Sequence, residues 1–333
     1  MTAQHRIGVD LGGTKIEAIV IRESAYLDEP DIVARKRVPT DRTLGYDHIV
    51  TITRALVFQV AEAAGIDPLE TPIGVGMPGS VTMRRADGTP SGVPLVKNSN
   101  TTCLNGQPFR TDLAAAIGRP LVFANDANCF ALAEATWGAA RGARVTFGVI
   151  MGTGVGGGVV FAEEGRPPRM WEGAQGIAGE WGHVLLDAEN GPTCYCGKRG
   201  CVETYLSGPA LEAEYKARGG GNKPLAEIAA RAASGEDVIA RKLMSERIDL
   251  FGRALATVIN VLDPDVIVIG GGVSNVSALY DKGPRAVARW VFNDELSTRI
   301  VKNTLGDSAG VLGAALLPDV MEPPVPTTRD TIV

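Results

Sequence analysis

Arg6-Ile7-Gly8-Val9-Asp10-Leu11-Gly12-Gly13-Thr14-Lys15-Ile16-Glu17-Ala18-Ile19-Val20 is the stretch on which the architecture turns. Residues 6–10 read as a buried strand, and Leu11-Gly12-Gly13 as a turn. Beyond it, residues 14–20 alternate polar and apolar with β-branched side chains, which is the period of a returning strand and not of a helix. A glycine turn between two such runs is a hairpin. The design recurs at Phe147-Gly148-Val149-Ile150, then Gly152-Thr153-Gly154-Val155-Gly156-Gly157-Gly158, then Val159-Val160-Phe161. Gly152, Gly154 and Gly157 spell Gly-x-Gly-x-x-Gly, yet a dinucleotide fingerprint needs a helix after the turn, so NAD is excluded. Gly-x-x-x-x-Gly-Lys-Ser/Thr is absent, which argues against a P-loop enzyme. A third glycine turn, Gly270-Gly271-Gly272, ends the apolar run Val266-Ile267-Val268-Ile269.

Glycines at such turns let backbone N–H groups approach an anion with no Cβ in the way, and phosphate is the commonest anion so bound. Each turn alone is equally well a tight hairpin. Three together, with Asp10 at the end of the first strand, point to the phosphates of a nucleotide. Asp10 would hold Mg²⁺, directly or through water, since Mg²⁺ prefers carboxylate and water oxygens. The candidate nucleotide and Mg²⁺ residues are Asp10, Gly12, Gly13, Thr14, Lys15, Gly152, Thr153, Gly154, Gly156, Gly157, Gly271 and Gly272. Lys15 either reaches a phosphate or is a solvated strand charge.

His183, Cys194, Cys196 and Cys201 lie within nineteen residues of one another. A Cys-x-Cys pair, a third Cys five residues on and an upstream His supply the four N and S ligands of a closed, structural zinc site. The alternative is a set of unligated thiols, but a redox pair would favour Cys-x-x-Cys, which is absent. Glu180 and Glu203 sit on the same stretch. Two carboxylates on a metal-braced loop suit a polyol, because they accept hydrogen bonds from hydroxyls in fixed directions.

With 333 residues the chain exceeds what one core usually supports, so two domains are expected, with a cleft between them. Net charge is −5, without a basic patch, which argues against nucleic acid. The 45% of hydrophobic residues come in strand-sized runs, too short for a membrane span. No signal peptide is apparent at residues 1–6, and five cysteines suit a reducing compartment, so a cytoplasmic protein is expected.

Taken together, Asp10-Leu-Gly-Gly-Thr-Lys15, Asn125-Asp126-Ala-Asn128, Gly152-Thr-Gly154, Glu180-x-Gly-His183 and Cys194-x-Cys-Gly-x-x-Gly-Cys201-x-Glu203 resemble the ROK family of bacterial sugar kinases and repressors, across residues 7–317. The resemblance implies an actin-like ATPase (ribonuclease H-like) fold: two α/β domains, each on a five-stranded mixed sheet, closing on hexose and ATP, and a homodimer. Residues 98–109, Asn98-Ser-Asn-Thr-Thr-Cys-Leu-Asn-Gly-Gln-Pro-Phe109, are most similar to bacterial fructokinases, so phosphorylation of fructose at its 6-hydroxyl is expected first, with N-acetylglucosamine or glucose as the alternative acceptor. The repressors carry a helix-turn-helix ahead of the first motif. Only nine residues precede Asp10 here, too few for one, and a sugar-sensing role without catalysis is disfavoured by the intact base and phosphate turns.

By resemblance Asp126 is the base that accepts the hydroxyl proton, while Gly79, Asn125, Glu180, His183 and Glu203 bind sugar. On residues alone Asp126 would be read as the N-cap of a helix over residues 127–140. Zinc on one nitrogen of His183 would fix its tautomer and leave the other nitrogen to meet the sugar. The expected domains are residues 6–122 with a last helix at 308–317, and residues 123–302 with the zinc loop. Residues 318–333 read as a disordered tail. Met244, Ile248, Phe251, Leu255, Val258 and Leu262 recur at helical spacing as a core or dimer stripe.

Overall fold

The computed structural model describes residues 4–22 and 29–321. The chain divides into two compact units: Met1–Cys129 with Ser308–Val333, and Phe130–Asp307. In the first, strands β1 (His5–Leu11), β2 (Lys15–Arg22), β3 (Asp31–Pro39), β4 (Ile73–Met77) and, after a separate hairpin of β5 (Ser80–Arg84) and β6 (Pro90–Lys97), β7 (Val122–Asn125) form a sheet of order β3-β2-β1-β4-β7. β1, β2 and β3 are antiparallel, and β4 and β7 continue parallel to β1. Side chains alternate across a strand. Ile7, Val9, Ile73 and Val75 therefore share one face, in a core with α1 (Tyr46–Ala64) and α2 (Phe109–Ile117).

Gly8 and Gly74 fall on the other face, where the C-terminal helix Ala309–Val320 lies so close that a Cβ on either would stand 2.4 Å from Val311 O or 1.9 Å from Ala314 O. This helix runs through Pro318 to Val320, so the expected tail cannot begin at 318; residues 322–333 lie outside the described residues.

The first unit also ends later than expected. β7 is hydrogen-bonded in parallel to β4, so residues 122–125 belong to the first sheet, and the division falls inside α3 (Asp126–Thr136) at Cys129. α3 itself stops short of 140, because Glu134 turns its carboxylate to the backbone: Oε2 accepts from Ala139 N at 2.8 Å. The same fully buried carboxylate accepts from Leu305 N at 3.0 Å and Thr304 N at 3.2 Å.

The second unit repeats the topology: β8 (Val145–Met151), β9 (Val155–Phe161), β10 (Arg169–Trp171), β11 (Val266–Gly270) and β12 (Arg299–Lys302) in the order β10-β9-β8-β11-β12. β8, β9 and β10 are antiparallel, and β11 and β12 run parallel to β8. β9 begins at Val155, four residues earlier than expected, with Gly156, Gly157 and Gly158 paired to Ile150, Val149 and Gly148. Helices α4 (Glu203–Leu206), α5 (Gly208–Tyr215), α6 (Leu225–Ser234), α7 (Val238–Leu262), α8 (Ala278–Asp281) and α9 (Gly283–Ala288) complete it. The α7 stripe is core: Met244, Ile248, Phe251 and Leu255 are buried with Phe147, Val149, Ile267 and Ile269, and Val258 and Leu262 pack at their edge. No helix among the described residues is long and apolar enough to cross a membrane.

Candidate functional site

In the first unit Asp10 is the next-to-last residue of β1, with Gly310 of the C-terminal helix so near that a Cβ there would sit 3.1 Å from its carboxylate. Crowding decides its acidity. Burial pushes the Asp10 carboxyl up to about 7, the charges of Asp126 and Glu17 push the same way, and Lys15 opposes them. The turn after β1 is held by Gly12 N donating to Lys15 O at 3.0 Å, and by Thr40, whose N donates to Thr14 O at 3.0 Å and whose hydroxyl donates to Gly12 O at 2.7 Å. Thr14 is exposed at the tip. Lys15 is drawn to its neighbour two residues on: its Nζ lies 3.7 Å from Glu17 Oε2, and Arg35 and Arg37 bind the same fully buried carboxylate.

Asn125 and Asp126 stand where β7 passes into α3, and both side chains turn back to the first helical N–H: Ala127 N donates to Asn125 Oδ1 and to Asp126 Oδ1, each at 2.9 Å. The amide of Asn125 donates to Gly79 O at 3.0 Å, so half of its capacity is used in joining two loops, and one N–H and one lone pair of Oδ1 are left for a ligand. Gly79 needs its left-handed φ of 85°, and a Cβ there would meet Lys97 O at 2.6 Å. It is a junction between β4 and the β5–β6 hairpin.

The second unit holds a cavity of about 1090 Å³. Gly152, Thr153 and Gly272 line it at the ends of β8 and β11, and Leu225, Met244 and Ile248 form an apolar wall. Two of the glycine turns singled out by sequence thus meet at one ligand-sized space. The remaining glycines differ. Gly271 is a turn residue, φ 79°, packed on the Met151 backbone, and it does not line the cavity. Gly156 and Gly157 lie within β9: the Gly156 carbonyl accepts from the Trp181 indole at 2.9 Å, and a Cβ on Gly157 would meet Gly179 O, Phe147 and Trp181, each at 2.8 Å. They are packing positions, not phosphate contacts. Gly154 serves a third purpose. A Cβ on it would sit 2.8 Å from Glu203 Oε2, and that same oxygen accepts from Val155 N at 2.9 Å. Glu203, which opens α4, is thereby tied to the β8–β9 turn.

Glu180 precedes the short 3₁₀ turn Trp181–His183 and lies beside His183 and Glu203. Burial raises its carboxyl above the ordinary range, His183 opposes the rise, and Glu203 adds to it. His183, Cys194, Cys196 and Cys201 converge with their ligand atoms all within 4.8 Å of one another. His183 Nδ1 is 3.6 Å from Cys194 Sγ, and Cys196 Sγ is 3.6 Å from Cys201 Sγ. Tetrahedral zinc with Zn–S near 2.3 Å and Zn–N near 2.0 Å places neighbouring ligands about 3.5–3.8 Å apart, so these residues fit the ion.

The sequence reading left the second nitrogen of His183 for the sugar. In the structure Nε2 lies 3.0 Å from the hydroxyl of Tyr195, whose ring meets the imidazole edge-on. With a metal ion on Nδ1, Nε2 would carry the proton and donate it to Tyr195 Oη. Tyr195 was missed. Its position between Cys194 and Cys196 was the available signal, because any residue inside a Cys-x-Cys pair is carried to the ligands.

Two five-stranded mixed sheets of one strand order, each opening on a glycine-turned hairpin, define the actin-like ATPase class of fold. The family described as "ROK family" matches residues 6–319, and the chain belongs to it. It is 36% identical over 319 residues to the N-acetyl-D-glucosamine kinase of Photobacterium profundum, covering 93% of this chain and 98% of that one. Among solved structures it resembles a ROK hexokinase from Thermus thermophilus, with TM-score 0.78, 32% identity and coverage of 94% and 97%. It also resembles a ROK glucokinase from Streptomyces griseus in complex with glucose and AMPPNP, with TM-score 0.73, 28% identity and coverage of 95% and 99%.

Proposed function

We propose that the protein is an ATP-dependent hexose kinase and that its acceptor is N-acetylglucosamine. The observation that carries the kinase reading is the cavity of the second unit, where a glycine turn and an exposed Thr153 meet an apolar wall of a size suited to a nucleoside. The choice of acceptor follows the relative from Photobacterium profundum, which is named for N-acetyl-D-glucosamine across almost its whole length. The fructose expected from residues 98–109 has no such support and becomes an arm of the test.

In this reading Gly152 of the second unit faces the nucleotide; in the first unit Gly12 and Gly13 offer backbone N–H groups to phosphate, and Asp10 would hold the divalent cation, which neutralises phosphate charge. Asp126 takes the proton of the attacking hydroxyl. Its carboxylate accepts at Oδ1 from Ala127 N, which fixes its direction. Glu180 and Glu203 accept from sugar hydroxyls. His183, Cys194, Cys196 and Cys201 would hold one zinc ion, which braces the loop that carries both acids.

ADP release measured with N-acetylglucosamine, glucose, mannose and fructose at matched concentrations tests the proposal. N-acetylglucosamine should give the highest kcat/KM. A fructose value about tenfold higher would overturn the acceptor and leave the kinase, since pocket shape alone discriminates by about 10–200-fold.

A further inference from the structure

The turn Gly12-Gly13-Thr14 has neighbours to which no role has yet been given. A Cβ built on Gly13 would meet nothing closer than 4.0 Å, and the three atoms at that distance are Arg42 Nη1, Asn100 Oδ1 and Thr101 Oγ1. They arrive from separate segments. Arg42 opens the short turn Arg42–Leu44 after β3, while Asn100 and Thr101 belong to the loop between β6 and α2. Thr101 is fully buried, and its hydroxyl has no hydrogen-bond partner among the described residues. An unsatisfied buried hydroxyl is costly, and a ligand that it could bind would offset that cost. Arg42 is exposed, and the one hydrogen bond of its guanidinium among the described residues runs from Nη1 to Asn100 O at 3.3 Å. Four N–H donors of the guanidinium are left over.

Charge narrows the ligand. The open space over Gly13 lies against a backbone turn that suits an anion, with a guanidinium and a hydroxyl donor at its sides. Lys15, the cation nearest in sequence, is turned to Glu17. Arg42 is then a cation within reach of the turn.

We propose that Arg42 and Thr101 bind the phosphoryl group while it is transferred, which makes Arg42 a further catalytic residue; this rests on the kinase reading above. As the bond from the γ-phosphorus to the bridging oxygen of ADP breaks, the bond to the sugar hydroxyl oxygen forms, and the hydroxyl proton passes to Asp126. Arg42 gives and takes no proton. Its fixed charge and the Thr101 hydroxyl meet the negative charge spread over the three equatorial oxygens, the place where an arginine acts most strongly in this chemistry.

Arg42→Ala, Arg42→Lys and Thr101→Val test the assignment by steady-state kinetics and thermal melting. Arg42→Ala should lower kcat about a thousandfold while the sugar KM moves by less than about threefold. Arg42→Lys should recover only part, because a point charge lacks the planar fork. Thr101→Val should lower kcat about tenfold while Tm stays level or rises, since the unpartnered hydroxyl is gone. An Arg42→Ala kcat within about threefold of wild type overturns the proposal, and so does a loss confined to the sugar KM, which would make the cluster a sugar subsite.

If wild type phosphorylates no sugar, the kinase reading fails by itself, and inorganic phosphate then decides the site. Phosphate, compared with chloride at equal ionic strength, should raise the Tm of wild type and not of Arg42→Ala. Equal shifts in both proteins, or none in wild type, overturn it.

Discussion

Replacing Asp10 by Asn should make the metal-free protein more stable while abolishing turnover. The carboxyl lies one residue before the end of β1, close to Gly310, and is pushed up to about 7, first by burial and then by Asp126 and Glu17; the ordinary value, expected for the unfolded chain, is 3.8. A carboxyl raised on folding binds its proton more tightly in the native state. Its contribution to stability is therefore complete below the unfolded value and is lost as pH climbs through the folded one. The rise is roughly 3 pH units at about 1.36 kcal/mol each, which sets a ceiling of about 4 kcal/mol on the cost carried above neutral pH. Asparagine keeps the shape and cannot ionise. Urea unfolding in EDTA should show Asp10→Asn ahead of wild type by about 1.5 kcal/mol near pH 5 and by about 4 kcal/mol near pH 8. Coincident midpoints near pH 8, or a gap that is wider near pH 5, would refute the reasoning. The same substitution removes the proposed cation ligand, so the gain in stability and the loss of activity share one cause.

Asp126→Asn should retain the hydrogen bond from Ala127 N and bind sugar normally while kcat falls by about two to four orders of magnitude; near wild-type turnover would remove Asp126 from the role of base. Elemental analysis should find one zinc per chain, and Cys201→Ser should lower Tm and raise the sugar KM about ten- to a hundredfold; a metal-free preparation with unaltered kinetics would make the cluster incidental to the sugar site. Glu134→Ala removes a fully buried carboxylate that accepts from three backbone N–H groups at residues 139, 304 and 305, and should cost about 2–4 kcal/mol in urea unfolding, against under about 1 kcal/mol if solvent can replace the carboxylate.

The hairpin at residues 5–22 was legible because period-2 alternation with glycine at the bend has no helical rival, and the same pattern announced β8 and β9. The convergence of His183, Cys194, Cys196 and Cys201 was legible from spacing alone. The start of β9 was not, since Gly156, Gly157 and Gly158 look like loop until Trp181 and Gly179 are seen pressed against them. Nor does a sequence show competition for a side chain. Lys15 beside a glycine turn reads as either a phosphate ligand or a solvated strand charge, and a buried Glu17 two residues on draws it; half of the capacity of Asn125 is taken by Gly79 and Ala127. Tyr195 and Arg42 escaped for a related reason: the first matters through a contact made by folding, and the second lies in a polar stretch with no motif of its own.

The discontinuity of the first unit also bears on how the protein is made. Gly8 and Gly74 leave one face of its sheet to a helix that spans residues 309–320, whereas the second unit is contiguous from Phe130 to Asp307. At about 5–20 residues per second, a ribosome needs roughly ten to thirty-five seconds to cross the second unit before that helix is complete, so the nascent first sheet waits with its glycine-lined face uncovered. The second unit has no such wait. The order of emergence thus leaves the half that carries Asp10 and Asp126 to close last, and chaperones that shield apolar nascent surface should engage the first 129 residues and not those that follow.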